Sequence, residues 1–533
     1  MGVYKIKEKS DGTIDRYKSR LVIKGFLQKF GIDYNETFSP TLKFASLRMM
    51  MNKIAKGKLS TRHADIGTAF LNGILEEEIY MEIPEGYSEI MGIPLPEGHN
   101  CLKLKKTLYG LKQASRQWHL HLKNTLENLG FSNNKLDPCL FKRVRNGETE
   151  YVAVYVDDLI IAAKDPKVIS KLMDSLKSQY DLRDEGELNY FLGMNITKKT
   201  NGSFFLDQEK LAREVLERFN LLDPSVNSVP MQPDTTLNAA DEDTKSDEYF
   251  HGEYRQAVGS LLYLACVSRP DIAYAVSKVA QYGHCPLKAH WTAVKGILRY
   301  LKGTANWGIT LGSHTSDESP STLFCSCDAS FAGDTDCRFS TKSNLYVGGR
   351  KSHTGYVMWL DNSPITWKSF RQSRVALSST EAEIIALVSA TQEIMWLKEI
   401  LEWIDPECNK EPIRVEQDNS SSIHLVDKKT LNKRSRHYGK DYFFVAEKVE
   451  DYTIKLMKQG TKMITSDILT KALSKQDFHR HSKTLMTTVQ GKLVQIPSSR
   501  AREEFVQHSS HISQITQQAV NIPYSKWAIH AGG

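Results

Sequence analysis

The sequence predicts an α+β protein that ends in a compact α/β unit. Three observations predict it. Strand-like and helix-like stretches alternate over the first 230 or so residues without a strict repeat, a pattern that suggests α+β or a split βαβ arrangement. Two helical stretches follow between polar segments. Residues 321–480 then return to short strands around one long helix.

The elements follow in order. "VYKIKEKSDGTIDRYKSRLVIKGF" alternates on both sides of Ser10-Asp11-Gly12 and reads as a basic hairpin. Leu47, Met50, Met51 and Ile54 stand at helical spacing. "HADIGTAFLNG" reads as a strand running into a turn. Trp118, Leu122, Leu126 and Leu129 share one helical face, and Gly130 is a natural C-cap. "VAVYVDDLIIAA" is two apolar strands broken only by Asp157 and Asp158. "DPKVISKLMDSLKSQY" reads as a helix, and "LNYFLGMNI" with "GSFFLDQ" as a second hairpin. Polar, acidic "PMQPDTTLNAADEDTKSDEYF" reads as a linker, followed by two helical regions and a second linker, "GSHTSDESPST". The expected units are 1–229, 230–320, 321–485 and a loosely ordered tail, 486–533.

Composition narrows the function classes. Seventy Lys and Arg against 63 Asp and Glu give +7 over 533 residues, which permits a nucleic-acid partner without requiring one. Eight cysteines are scattered with no C-x-x-C pair, which argues against structural zinc and reads as reduced thiols. "MGVYKIKEKSDG" has no apolar signal core, and Ile6 occupies the position where a myristoylation motif has Ser or Thr. No apolar run approaches the roughly 20 residues of a membrane span. The reading is an intracellular protein, neither secreted nor membrane-bound.

The paired aspartates raise the chemical question. A turn that favours Asp is one reading of Asp157-Asp158. The other is metal binding: adjacent carboxylates repel, and a divalent cation relieves that repulsion. Asp65, which also follows a strand-like stretch, is the candidate third ligand. Hard oxygen ligands from two strands suit magnesium, which leaves room for substrate phosphates.

"YVDD" (Tyr155 to Asp158) resembles the Y-x-D-D box of reverse transcriptases. "YKSRLVIKGFLQKFGIDYNETFSP", "DIGTAFLNGILEEEIYMEIPEGY", "LKKTLYGLKQASRQW", "LNYFLGMNI", "SRPDIAYAVSKVAQY", "LRYLKGT" and "SSTEAE" resemble, in order, the copia type of retrotransposon Pol polyprotein. The resemblance covers residues 3 to 485. It implies a right-hand polymerase of fingers, palm and thumb followed by an RNase H-like domain. It implies that Asp65 and Asp157 hold two magnesium ions (manganese as substitute) with Asp158 in support. Phe70 falls where an aromatic crowds a ribose 2′-hydroxyl, with a core aromatic as the alternative. Arg20 falls on the strand that meets the incoming triphosphate, and Lys112 and Gln113 near the templating pair. "YFLGMNI" resembles the hairpin that grips a primer. The implied partners are an RNA template, a DNA primer, the RNA–DNA hybrid and dNTPs.

Four spaced acids mark the later unit: Asp328, Glu383, Asp418 and Asp467. Carboxylates from separate elements can converge on two metals. Thr380 and Glu383 could instead form a capping box, and Asp467 could serve a helix dipole. "AEIIAL" resembles the E-x-x-A-L helix start of RNase H, which implies Glu383 rather than Glu381 as ligand. The resemblance places the protein in a cytoplasmic particle or the nucleus.

Departures accompany the resemblance. The chain begins inside the fingers of that pattern, so an early strand and helix are expected to be missing. "FSTKSNLYVGGR" (339–350) is extra sequence that either loops out or disturbs the sheet beside Asp328. "SRHYGKDYFF" departs around His437, which receives no catalytic role. Two functions are carried forward: an RNA-directed DNA polymerase with linked RNase H, and an inactive relic that at most binds nucleic acid.

Overall fold

In the computed structural model, residues 2–8, 13–92, 98, 100–221, 225–240, 248–312, 320–334, 337–340, 345–428 and 439–490 are described. His437 and most of the tail lie outside them. Among the described residues, helices and antiparallel and parallel strands are mixed along the chain, in three sheets of five or six strands and three two-stranded antiparallel pairs.

The apolar runs around Asp157-Asp158 form the centre of the first sheet. Its strand order is Leu182–Gly186, Ser60–Ile66, Asp158–Ala163, Glu148–Tyr155, Leu140–Arg145 and Ser132–Asn133. Both faces are covered, which is why the central strands do not alternate with polar residues. Val152, Val154, Leu159 and Ile161 pack under the helices Ala114–Asn128 and Pro166–Lys177. Tyr151, Ala153, Ile160 and Ala162 join the larger core on the opposite face. Each fully buried Leu or Ile here contributes roughly 1.5–3 kcal/mol.

Helix Phe44–Lys56 lies against that opposite face. Its predicted stripe, Leu47, Met50, Met51 and Ile54, is buried, but so are Arg48, Met49 and Asn52. A one-faced helix was expected; this one is enclosed because a second layer packs on its far side. That layer is a five-stranded sheet ordered Ser363–Arg371, His353–Leu360, Leu323–Ser330, Ile413–Gln417 and Ile454–Lys458. The first three strands are antiparallel and the last two parallel to Leu323–Ser330. The long helix Ser379–Ile404 packs on it, with Leu387, Ala390, Ile394, Leu397, Leu401 and Ile404 buried as their spacing predicts.

The extra sequence does not interrupt this sheet. Pairing between Leu323–Ser330 and His353–Leu360 runs unbroken from Leu323↔Leu360 to Ser330↔His353. Cys337–Ser340 and Leu345–Gly348 instead pair with each other as a separate hairpin. Its base is tied by the Asp334 N–H to the Lys351 carbonyl and the Arg350 N–H to the Asp334 carbonyl.

The third sheet joins the predicted second hairpin, Tyr190–Phe191, Met194–Lys198 and Phe204–Asp207, to Trp307–Leu311 and Thr487–Thr488. Between them the helices Glu248–Val267, Ala273–Ala280 and Lys288–Gly303 form the helical stretch. The preceding polar segment is anchored at Met231 and Leu237, which are buried, and the Tyr282 hydroxyl donates to the Leu237 carbonyl at 2.8 Å. No helix among the described residues is long and apolar enough to cross a membrane.

Candidate functional site

The turn at Asp157 is built from both sides. Tyr155 pairs with Asp158, leaving Val156 and Asp157 at the tip. Val156 adopts φ 58°, rare for a β-branched residue. Its carbonyl accepts the Trp118 indole N–H at 2.6 Å, and the Asp157 carbonyl accepts the Ile66 N–H at 2.8 Å. Trp118 is therefore more than the core aromatic its spacing predicts. Ile66 N–H fixes the tip to the strand that carries Asp65, and Asp65 stands directly opposite Asp158.

These residues meet a cavity of about 650 Å³ whose wall includes Arg20, Asp65, Asp157, Tyr109, Asp181 and Arg183. Burial raises the Asp65 pKa, and Asp158 raises it further, while Arg183 opposes both. Arg183 is the cross-strand neighbour of Asp65. Arg20 lies over the Tyr109 ring at 5.1 Å. Phe70 packs behind Tyr109, ring centroids 5.1 Å apart, and is not itself on the cavity wall.

Lys112 and Gln113 are not brought to the cavity. The Lys112 amine donates to the Gln28 carbonyl at 3.1 Å and the Tyr34 hydroxyl at 3.3 Å. Gln113 is fully buried and donates to the Asp33 carbonyl at 2.8 Å and to Glu77 at 3.1 Å. Arg183, Asp181 and Tyr109 were missed from sequence. "YDLRDEG" does alternate around buried Leu182, which signals an edge strand but not its neighbour.

The second set of acids converges more tightly. Asp328, Glu383 and Asp418 each offer a carboxylate oxygen within 4.8 Å of the others. The N-terminus of the long helix is capped by Ser378, whose hydroxyl accepts the Glu381 N–H at 3.1 Å, while Glu381 accepts the Leu377 N–H at 2.7 Å. The capping pair is thus Ser378 with Glu381, not Thr380 with Glu383, and Glu383 is left to face the acids. Gln417 donates to Glu383 at 3.1 Å and is itself held by the Ser422 hydroxyl at 2.6 Å.

Asp467 sits in the short helical turn Thr465–Leu469, beside Asp328. Gly355, the cross-strand partner of Asp328, makes that approach possible: a Cβ there would fall 2.7 Å from Leu469 and Thr470 side-chain carbons. Thr470 donates to Asp328 at 2.6 Å, and Lys471 pairs with Asp467 at 2.8 Å. Gln417 and Gly355 carry no sequence signal, since each works through a partner distant in the chain; Lys471 stands four residues after Asp467, a spacing the sequence does show.

The donor set fits a divalent cation. Burial pushes Glu383 well above its ordinary pKa, with Asp328 and Asp418 adding repulsion. Burial and Asp328 push Asp467 up to about 7. Buried oxygen ligands held against mutual repulsion are the chemistry a hard cation stabilises.

A sequence model of the family described as "Reverse transcriptase (RNA-dependent DNA polymerase)" matches residues 1–233. A transposon Ty5-1 protein of Saccharomyces cerevisiae is 32% identical over 337 residues, covering 62% of this chain and all of that protein. The Pol polyprotein from transposon TNT 1-94 of Nicotiana tabacum is 38% identical over 481 residues, and that from transposon RE1 of Arabidopsis thaliana 34% over 486. The chain belongs to the reverse transcriptase family of copia-type retrotransposon Pol polyproteins. It spans about a third of those two polyproteins, 34% and 31%, while they align to 89% and 91% of it. Among solved structures, LC11-RNase H1 in complex with an RNA/DNA hybrid matches at TM-score 0.21 and 10% identity, covering 28% of this chain and 94% of that one. A foamy viral protease-reverse transcriptase in complex with double-stranded DNA matches at 0.19 and 12%, covering 88% and 66%. In this copia-type family member, Asp157 of the Y-x-D-D turn lies on the wall of the cavity described above.

Proposed function

We propose that this chain is an RNA-directed DNA polymerase with a linked RNase H. The observation that carries the reading is the meeting of Asp65, Asp157 and Arg20 on one cavity wall, with Asp158 opposite Asp65. In this reading residues 1–229 supply fingers and palm, 230–320 the thumb and connection, and 321–485 the RNase H-like unit. Magnesium, held by Asp65 and Asp157 with Asp158 in support, would supply Lewis-acid stabilisation of charge on phosphate oxygens. The 3′-hydroxyl of a DNA primer attacks the α-phosphorus of a dNTP, one phosphodiester forms, and pyrophosphate leaves.

The side chains divide the remaining work. Arg20 and Arg183 offer positive charge to a triphosphate in the cavity. Phe70 backs Tyr109, so the two rings together set the room beside a ribose. Lys112 and Gln113 hold the template side indirectly, by bracing the segment around Gln28 and Asp33.

At the second site Asp328, Glu383, Asp418 and Asp467 form the ligand set for hydrolysis of the RNA strand of a hybrid. There water attacks phosphorus and a 3′-hydroxyl leaves. A 2′-hydroxyl and groove shape would mark the strand to cut. The implied setting is a cytoplasmic particle or the nucleus.

The test is primer extension on an RNA template with dNTPs and magnesium, beside Asp157→Asn. Extension by the unmodified chain, reduced on the order of a thousandfold in the variant, is the expected result. A folded protein that makes no DNA, and binds hybrid with steep salt dependence but no need of magnesium, returns the relic reading.

A pH prediction follows from the second site. Glu383 and Asp467 have folded pKa values above their unfolded ones. Between about pH 4 and about pH 7 these two groups hold more protons in the folded chain, so their contribution to metal-free stability falls as pH rises through that window. Magnesium binds the ionised carboxylates, so it should raise the melting temperature more at about pH 8 than at about pH 5. Thermal melts with magnesium and with EDTA measure this; an equal increment at both pH values contradicts it.

A further inference from the structure

The second aspartate of the turn has a partner that the polymerase reading does not use. His63 Nε2 lies 3.1 Å from Asp158 Oδ1. The two side chains are 14% and 29% exposed, so the contact is partly shielded from water. Strand geometry explains it. His63 and Asp65 are two residues apart and share one face of the sheet. Asp65 faces Asp158 and His63 faces Ile160, which makes His63 and Asp158 diagonal neighbours.

The same imidazole reaches a different element. Its ring meets Phe191 edge-on, centroids 5.7 Å apart at 81°. Phe191 is buried and starts the tip of the hairpin Tyr190–Lys198. That tip is held hard: Leu192 takes φ 48° and Gly193 φ 74°. The Tyr263 hydroxyl donates to the Leu192 carbonyl at 2.5 Å, and the Tyr263 ring packs edge-on against Phe44 at 6.2 Å. One side chain thus touches both a carboxylate of the turn and the residue that leads into a strained hairpin tip. A ring with a polar nitrogen does both; an amide keeps only the first contact, and a benzene ring only the second.

We propose that His63 is a positioning residue that fixes Asp158 and the hairpin Tyr190–Lys198 in one relation. The carboxylates and the primer end are then set together. The primer half rests on the polymerase reading above together with the resemblance of "YFLGMNI" to a primer-gripping hairpin; the carboxylate half does not.

The full chain carrying Asp328→Asn and Asp418→Asn, which disarm the second site, is the parent for the test. His63→Phe and His63→Gln are compared with it in two measurements. Manganese affinity is followed by electron paramagnetic resonance, and primer extension gives kcat and the KM for primer–template. His63→Phe is expected to weaken manganese binding about tenfold and to lower kcat, as loss of an outer-shell partner does. His63→Gln should restore manganese affinity to within about twofold of the parent while raising the KM for primer–template, since the contact with Phe191 is gone. The proposal is overturned if neither variant changes manganese affinity. It is also overturned if both lower it equally along with the melting temperature, the mark of a purely structural histidine. A parent that binds manganese but makes no DNA removes the polymerase reading alone, and the manganese comparison still decides the role of His63.

Discussion

Glu383→Gln is expected to lose hybrid cleavage on the order of a thousandfold and yet melt higher than the unmodified chain in EDTA. The two effects share one cause. Glu383 is 5% exposed and stands within 4.8 Å reach of Asp328 and Asp418. Burial and those two acids hold its pKa well above the ordinary carboxylate range. Without metal near neutral pH, the folded chain either keeps a repelled buried charge or takes up a proton. Glutamine removes both costs and preserves shape. One of its two polar ends still accepts from Gln417, and the other can donate to a neighbouring carboxylate. The gain is about 1–3 kcal/mol, a shift of a few degrees for a unit of this size. Differential scanning calorimetry in EDTA beside a hybrid-cleavage assay measures both. A variant that melts lower would mean that Glu383 stabilises the fold, and the site would lose its reading as a strained ligand set.

The second large effect concerns the packing of helix Phe44–Lys56 between the helical stretch and the sheet that carries Asp328. Arg48, on helix Phe44–Lys56, is 3% exposed and donates to three backbone carbonyls. Nη1 reaches Ile365 at 2.8 Å, and Nη2 reaches Cys266 and Val267 at 2.6 Å each. Its guanidinium also lies 4.2 Å from the Trp367 ring centroid. Cys266 and Val267 end a helix, where carbonyls lack intrahelical partners. Arg48→Met keeps an apolar stem of similar reach but leaves those carbonyls unpaired. The expected cost is about 3–5 kcal/mol, and Arg48→Lys should recover only part of it. Denaturant titration followed by fluorescence should show the unfolding midpoint fall and the transition broaden or split as the units uncouple. An unchanged midpoint would mean that the surrounding contacts suffice. Those contacts include Lys53 to Asp405 at 2.7 Å, Tyr151 to the Ile404 carbonyl at 2.7 Å, and Trp367 to the Ala265 carbonyl at 2.7 Å.

Much of this protein was legible in the chain because its signals are local. Apolar runs on both sides of Asp157-Asp158 announced a buried hairpin, since only strands covered on two faces omit polar residues. The spacing from Leu387 to Ile404 announced the long helix. Family motifs singled out Asp328, Glu383 and Asp418, whose carboxylates the fold brings within 4.8 Å of one another, and Asp65, which it sets opposite Asp158. Where local reading stalled, the partner was elsewhere in the chain. Thr380 was the capping hydroxyl the spacing offered, and the backbone showed that Ser378 meets the Glu381 N–H instead. The extra sequence near Arg350 had two possible fates, and pairing with itself decided between them.

The sequence by itself determined which residue types could do metal chemistry and which stretches could bury them, because hydrophobic period and charge are written along the chain. Only the tertiary structure decided who faces whom. His63 meets Asp158 across 95 positions, Arg48 meets Ile365 across 317, and Asp328 receives Thr470 across 142. No local pattern encodes such pairs. They follow from strand register and the packing of layers, which set the distances and the desolvation on which the strength of a carboxylate, an imidazole or a guanidinium depends.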